Sequence, residues 1–408
     1  MSSSTVPHPP QTRPYATTWI MLLGLLTALG PLSIDMYLPA LPSMGQAFGV
    51  SLSSVSNTVP AYFLGLAIGQ LIYGPVSDRF GRKPPLYFGL SLFVLASVAC
   101  ALATNLESLL AARVLQALGG CVGVVVARSA IRDRLSPAAS SQAYATLLLV
   151  MGVAPILAPL AGGWLLQWGW HSIFWVLAAI GALALLMIHT QFEETLDHHN
   201  RRPLALGLVL RGYVDLFKDA RFRTPALAGG FLMGGLFVYI SASSAVLMGH
   251  FGVSAQAFGW LFGMNAAGLI ALSQVNGRLV RRYSLLRLLQ VGTGIQVIGV
   301  LLLLVLTVLQ QVTLPLLMLC LFAIVSGIGL SAPNSTALAL ASQGQRAGMA
   351  SALLGSLQFG LGLLGGVILH TLPFDQLTAI AVMMAVLIGA GALAVWVHSQ
   401  RQTKLSVL

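Results

Sequence analysis

Long apolar runs recur along the chain, and each is about as long as a helix that crosses a lipid bilayer. A hydrocarbon core of about 30 Å needs about 20 mostly apolar residues in helical form. The runs form two groups of six, separated by a polar stretch from Glu193 to Arg223. They lie at residues 17–40, 57–77, 84–104, 106–128, 143–166, 171–190, 224–247, 255–277, 286–308, 313–338, 345–370 and 376–398. This pattern predicts an all-α membrane protein with twelve transmembrane helices in two six-helix bundles.

The same pattern divides the chain into five segments. These are an N-terminal tail (1–16), a first bundle (17–190), a linker (191–223), a second bundle (224–398) and a C-terminal tail (399–408). The first apolar run contains no small-residue cleavage site, so we expect the N-terminus to stay in the cytoplasm. A polar joint between two bundles is typical of secondary transporters, in which two halves move against each other around a central site.

The basic residues alternate from loop to loop in a way that predicts the orientation in the membrane. Only 8% of the residues are charged and 57% are hydrophobic, which excludes a water-soluble fold. All of the 21 Lys and Arg residues except Arg113 fall in the tails or in alternate loops on the side of the N-terminus. Because such residues accumulate on the cytoplasmic side, both tails and the linker are predicted to be cytoplasmic. The net charge of +11 therefore reflects topology in a bacterial inner membrane and does not indicate nucleic-acid binding.

Two ionisable side chains lie inside the predicted spans. Asp35 is the only one of the ten acidic residues placed there, and Arg113 is its cationic counterpart. A charge at membrane depth costs at least about 2.5–3.5 kcal/mol, so such a residue is a functional candidate. Both lie roughly 8 Å below the predicted outer boundary, and we expect them to share a water-filled cavity in which Asp35 carries protons. The alternative is a structural ion pair that fixes the first and fourth helices. Pro31 and Pro39 flank Asp35 and should break the first helix near it.

Polar side chains at membrane depth supply candidates for a central binding site. Gln116 lies three residues from Arg113 and shares its helical face. For each polar residue at this depth, Asn334 included, the alternative to a role in binding is a hydrogen bond to a neighbouring helix, because intramembrane polar groups commonly bridge helices. The predicted substrate-binding residues are Asp35, Tyr37, Tyr62, Arg113, Gln116, Tyr239, Asn265 and Gln358.

The sequence does not favour an enzyme. It has no phosphate-binding loop ending in Gly-Lys-Ser/Thr, no metal-ligand cluster and no nucleophile elbow inside the spans. The cysteines at 100, 121 and 320 are isolated in apolar runs and fit neither a disulfide framework nor a metal site. We therefore expect no catalytic residue, no cofactor and no metal.

Several motifs resemble those of one transporter family. The loop after the second span, Gly74-Pro-Val-Ser-Asp-Arg-Phe-Gly-Arg-Lys83, resembles the signature of the major facilitator superfamily. In the family the loop aspartate helps to hold the two halves in one state, so the resemblance predicts a conformational latch. Asp78, with Arg79 and Arg82, is expected to pair with Asp133 and with a helix N-terminus. The predicted latch residues are Gly74, Asp78, Arg79, Gly81, Arg82, Lys83 and Asp133.

Three further segments extend the resemblance over nearly the whole chain. Residues 109–120, with Arg113, resemble the helix 4 motif of proton-coupled drug exporters. Residues 154–163 resemble the helix 5 antiporter motif, although alanine stands at 154 and 158 where glycine is usual. The matching residues there are Pro155, Pro159, Gly162 and Gly163. Residues 33–42 are similar to helix 1 of the Bcr/CflA subfamily, the bicyclomycin resistance proteins.

The resemblance implies proton-coupled antiport of small-molecule drugs from cytoplasm to periplasm by alternating access. Bicyclomycin, phenicols and sulfonamides are the candidate substrates. The alternative is a uniporter, or a proton-coupled importer of a small metabolite. The implied partners are the drug, protons and the lipid bilayer, and the family expectation is a monomer.

Overall fold

A computed structural model of the chain describes residues 17–135, 137–197, 199, 201 and 205–407. The predicted N-terminal tail lies outside the described residues. The helices up to the linker are α1 (Thr17–Asp35), α2 (Leu41–Phe48), α3 (Leu52–Ser56), α4 (Thr58–Phe80), α5 (Lys83–Ala101), α6 (Leu106–Arg134), α7 (Pro137–Leu165) and α8 (His171–Gln191). The helices that follow are α9 (Leu206–Lys218), α10 (Ala220–Ser244), α11 (Ala255–Leu279), α12 (Leu285–Val308), α13 (Leu314–Leu340), α14 (Ala347–Thr371) and α15 (Gln376–Val407).

Twelve helical segments are long and apolar enough to cross a membrane, and no strand occurs in the described part of the chain. The prediction of an all-α protein with twelve spans is thus confirmed. A membrane-spanning chain favours helices because each helix satisfies its own backbone hydrogen bonds, which lipid cannot do. Most helices end within a few residues of the predicted limits. The larger differences are at α6 and α7, which extend beyond the predicted spans, and at α15, which continues through the predicted tail to Val407.

The first span is broken where the two prolines predict a break. Helix α1 ends at Asp35, a turn follows, and a short 3₁₀ segment, Leu38–Ala40, leads into α2. The apolar run therefore continues to Phe48, beyond the predicted limit of 40. Pro31 lies inside α1, and the nearby Pro39 stands in the 3₁₀ segment. Asp35 is consequently the last residue of a helix that ends within a span.

The helices pack into two groups that meet along a seam. In the first group α4 and α5 pack against α6, and α1 packs against α7. In the second, α10 packs against α14 and α15, and α12 packs against α13. The most extensive contacts between the groups are those of α4 with α14 and of α7 with α11. Large apolar side chains such as Phe88 and Ile298 are exposed on the outside, as expected of a surface covered by lipid.

The linker contains a helix that the polar composition of residues 191–223 did not predict. Helix α9 is separated from α10 only by Asp219, whose extended backbone ends one helix and begins the next. The side chain of Asp219 accepts a hydrogen bond from the backbone N–H of Arg221 at 2.9 Å and so caps α10. The two helices therefore meet at a corner, at the predicted cytoplasmic end of the seventh span.

Candidate functional site

Arg113 lies in an aromatic cage inside the first bundle. Its guanidinium carbon is 4.1 Å from the ring centroid of Tyr37 and 4.3 Å from that of Tyr62. One terminal nitrogen donates to Oε1 of Gln116 at 2.6 Å, and the other donates to the backbone oxygen of Ser33 at 3.0 Å. The side chain has no exposed surface. Cation–π contacts and charged hydrogen bonds thus replace much of the water that this cation would otherwise need, although its Nε has no hydrogen-bond partner among the described residues.

Asp35 is not bound to the cation of this cage in the described residues. The described residues contain no ion pair between Asp35 and Arg113, and none donates a hydrogen bond to the Asp35 carboxylate. The residue is 4% exposed, whereas Arg113 is wholly enclosed. The structural ion pair considered as an alternative is therefore absent from the described residues, and the carboxylate is free to change protonation without breaking a bond to a described residue.

A cavity of about 90 Å³ lies where α7 meets the second bundle. Tyr239 and Asn265 are the polar residues of its wall, and Nδ2 of Asn265 donates to the Tyr239 hydroxyl at 3.0 Å. Oδ1 of Asn265 is buried and has no hydrogen-bond partner among the described residues. The Tyr239 ring stacks on Phe262 at 5.4 Å between centroids. Tyr239 and Asn265 were predicted from the sequence, but the apolar wall was not, because one more apolar side chain in a span carries no distinguishing signal.

The helix 5 motif joins this cavity to the break in the first span. Pro155 of α7 lines the cavity. Gly162 lies against the backbone oxygen of Met36, the residue that follows Asp35, so closely that a Cβ atom there would overlap it. A Cβ atom on Gly163 would meet the backbone oxygen of Ala255 of α11 at 3.1 Å. The two glycines thus let α7 approach α1 on one side and α11 on the other.

The predicted latch residues converge on Arg82. The Arg82 side chain donates to Asp78 at 2.6 Å through Nη1 and to Asp133 at 2.8 Å through Nε, and it is 1% exposed. Burial alone would lower the pKa of Arg82, but the hydrogen bonds that its guanidinium donates to Asp133 and Asp78 raise it above the ordinary value. The guanidinium therefore ties the end of α4 to the end of α6.

The remaining predicted residues lie outside these groups. Arg79 is exposed and forms no ion pair within 4 Å in the described residues. A Cβ atom on Gly74 would meet nothing within 4 Å, so packing does not require glycine there. Gln358 is half-buried on α14, and Asn334 donates at 2.7 Å to Asn276, which makes it a bridge between helices.

Glu194 lies beside the predicted latch residues and was not predicted from the sequence. Its carboxylate accepts the backbone N–H groups of Arg82 at 2.8 Å and Lys83 at 3.1 Å, at the start of α5. Burial raises the pKa of Glu194, but hydrogen bonds from the N–H groups of Arg82, Leu196, Lys83 and Thr195 together bring it below its ordinary value. The helix N-terminus expected to hold Asp78 thus holds Glu194 instead. Gly81, with φ of 95°, leaves room for that carboxylate.

Replacing Glu194 with Ala should lower the stability of the protein by about 1 kcal/mol, as the loss of a helix N-cap does. Because its pKa is depressed, the contribution is complete above the ordinary value of 4.5 and is lost as the pH falls through the folded-state pKa. Melting temperatures of purified wild type and variant should therefore differ at neutral pH and converge in acid. The control is Glu193→Ala, because the Glu193 side chain is 86% exposed. An equal effect of both substitutions would contradict the capping role.

Two bundles of membrane-spanning helices that meet around an internal cavity define a membrane transporter. The chain belongs to the Major Facilitator Superfamily, whose pattern it matches over residues 23–366. It is a multi-pass membrane transporter and not an enzyme, and its relatives include proteins named as multidrug transporters.

The relatives cover most of the chain. It is 38% identical to an MFS-type transporter, YdgK, of Bacillus subtilis over 88% of this chain and 89% of that protein. It is 30% identical to a bicyclomycin resistance protein homolog of Haemophilus influenzae over 95% of this chain and 97% of that one. Among solved structures, a D-xylose–proton symporter is similar with a TM-score of 0.74, 16% identity, and coverage of 93% and 96% of the two chains. At that identity the likeness is one of fold.

Proposed function

We infer that this protein exports small-molecule drugs from the cytoplasm in exchange for protons, in the inner membrane of a bacterium and as a monomer. The relatives named for resistance to bicyclomycin and chloramphenicol support drugs as the substrate class. Bicyclomycin, phenicols and sulfonamides are the first compounds to test. The observation that carries proton coupling is Asp35, a nearly enclosed carboxylate without an ion-pair partner in the described residues, at a break in the first span.

The cavity beside Tyr239 and Asn265 is the proposed drug site. Sites for drug-sized ligands usually have volumes of about 300–1,000 Å³, several times the 90 Å³ found here. The drug would therefore enter when α7 and α11 separate, and the cavity would shrink when they close. Its wall is apolar apart from the hydroxyl of Tyr239 and the amide of Asn265, which suits neutral drugs with one or two hydrogen-bonding groups.

The exchange of drug for protons follows from the effect of Asp35 protonation on the two states of the transporter. With Asp35 ionised, a cavity open to the cytoplasm would keep a solvated charge at the seam. Protonation from the periplasm removes the cost of burying that charge and so changes the relative stability of the two states. Drug and proton need not touch, because each favours a different arrangement of the bundles.

The test is drug accumulation in cells with and without the protein. Export predicts that deletion raises the accumulation of a labelled phenicol and that an uncoupler abolishes the difference. An importer would give lower accumulation on deletion, and a uniporter would give a difference that an uncoupler does not change. Either result would contradict proton-coupled export.

Replacing Asn265 with Leu should change which drugs are exported more than it changes the amount of protein. The substitution removes an amide from the cavity wall, so resistance to polar drugs should fall about tenfold relative to apolar ones. A drug-susceptibility panel, normalised to the membrane content of the variant, measures this.

The control is Asn334→Leu, a second buried asparagine that bridges helices and does not line the cavity. It should lower the amount of folded protein and affect all drugs alike. A uniform loss from Asn265→Leu as well would contradict its place in the drug site.

A further inference from the structure

Helix α9 has three distinct faces. Tyr213 and Leu216 are buried against the bundles. Leu210, Val214 and Phe217 are exposed at 63%, 51% and 39% of their surface. At about 100° per residue these three fall within roughly 60° of one another, about a quarter of a turn from the buried face. The apolar flank is thus beside the protein contact and not part of it.

The buried face of α9 contacts both bundles. The Tyr213 hydroxyl donates to the backbone oxygen of Leu71 of α4 at 3.0 Å. Burial raises the pKa of Tyr213 to about 12, so this hydroxyl stays protonated at neutral pH. On the other side, Gly212 lies against the sulfur of Met349 at the start of α14. The helix is therefore a brace across the seam, at the same end as the Arg82 latch.

The third face of α9 carries two cations, beside one acid and the exposed Leu208. Arg211 and Lys218 are exposed, fall within about 20° of each other in projection, and lie next to the apolar flank. Neither forms a hydrogen bond or an ion pair in the described residues. Asp215 shares this face, but the wider surface is strongly basic, because almost all the cations of the chain are predicted on this side.

Only one kind of surface presents apolar chains and anionic groups side by side at the end of a membrane span. An amphipathic helix with cations on its polar face lies in the interface of such a bilayer, with its apolar side chains among the acyl chains. Helix α10, a membrane span, is separated from the end of α9 by a single residue. Helix α9 is therefore held at the membrane boundary.

We propose that α9 binds the surface of the bilayer, with Leu210, Val214 and Phe217 among the acyl chains and with Arg211 and Lys218 on the headgroups of anionic phospholipids. The bound lipid holds the brace against α4 and α14, so the composition of the membrane acts on the seam that the transport cycle must open.

The experiment places a fluorescent label on either side of the expected boundary. Val214→Cys and Asp215→Cys are made in a chain whose three native cysteines are replaced by Ala, and each is labelled with an environment-sensitive dye. The full-length proteins are reconstituted in vesicles that contain nitroxide-labelled phosphatidylglycerol or phosphatidylcholine. We expect blue-shifted emission that the nitroxide lipids quench at position 214, and water-like, unquenched emission at position 215.

The headgroup contact is tested by adding Arg211→Gln and Lys218→Gln to the Val214→Cys protein. Each cation near an anionic surface contributes about a fivefold preference, so the excess quenching by phosphatidylglycerol should fall about fivefold for each substitution. Equal quenching by both lipids, unchanged in the double variant, would overturn the headgroup contact. Water-like emission from the label at position 214 would overturn the membrane contact. Blue-shifted emission that the nitroxide lipids do not quench would also overturn it. None of these readings depends on drug transport.

Discussion

Proton-driven transport should be abolished when Asp35 is replaced by Asn, while the amount of folded protein stays close to that of the wild type. The side chains have the same shape, and the Asp35 carboxylate has no hydrogen-bond or ion-pair partner in the described residues that the change would leave unpaired. Removing an intramembrane charge relieves a cost of at least about 2.5 kcal/mol, so stability should not fall. What is lost is the group that accepts the proton.

Measurements in proteoliposomes distinguish proton coupling from the movement of the bundles. In the wild type a pH gradient should drive accumulation of a labelled drug against its own gradient, and Asp35→Asn should show none. The variant should still exchange labelled for unlabelled drug without a gradient, because the bundles can still move. The control is Glu107→Gln, which removes an exposed carboxylate from the first turn of α6.

Two results would contradict this assignment. Uptake driven by the pH gradient at the wild-type rate in the Asn variant would remove Asp35 from the coupling mechanism. Loss of the folded protein would instead assign the residue a structural role. Asp35→Glu restores an ionisable group one methylene further from the backbone and should recover part of the coupling, which a purely structural role does not predict.

The sequence predicted the depth of Asp35 and Arg113 but not the direction of their side chains. Their distances from the span ends place both near one level, because the rise per residue in a helix is fixed. The direction of a side chain depends on how far its helix is rotated about the helix axis. Because α1 ends at Asp35, the 3.6-residue period does not apply to the chain that follows. Arg113 consequently binds Ser33 and Gln116 inside the first bundle, whereas the Asp35 carboxylate forms no ion pair with it in the described residues.

The difference between local spacing and contacts of distant segments also explains which parts of the latch and the linker were predicted. The spacing from Asp78 to Arg82 is one helical turn, so their contact follows from the sequence. Glu194 lies 112 positions from Arg82, and no local pattern marks it among its acidic neighbours. Helix α9 was not predicted because the linker is rich in charged residues. The apolar residues of α9 nevertheless recur with a helical period. Local periodicity predicts elements, while contacts between distant segments require the packed structure.

Gly162→Ala should cause the largest loss of stability among single methyl additions in the first bundle. The added Cβ would overlap the backbone oxygen of Met36, which cannot move by changing a rotamer. Overpacking of a well-packed core costs about 1–3 kcal/mol, and a backbone neighbour places this site at the upper end. Helix α7 would have to move away from the break that carries Asp35, and it also lines the cavity through Pro155. The same displacement changes the relative stability of the two transport states, and an imbalance of 1.4 kcal/mol lowers the population of one state about tenfold, so transport should fall by a similar factor.

The matched control is Gly360→Ala on α14, where a Cβ atom would meet nothing within 4 Å. Alanine is favoured over glycine in a helix by about 0.5–1 kcal/mol, so this variant should be at least as stable as the wild type and should transport normally. Melting temperatures and drug exchange in proteoliposomes would be compared for the two proteins. If Gly162→Ala melted and transported like Gly360→Ala, α7 would not need its close contact with α1, and the antiporter motif would have to act through its prolines alone.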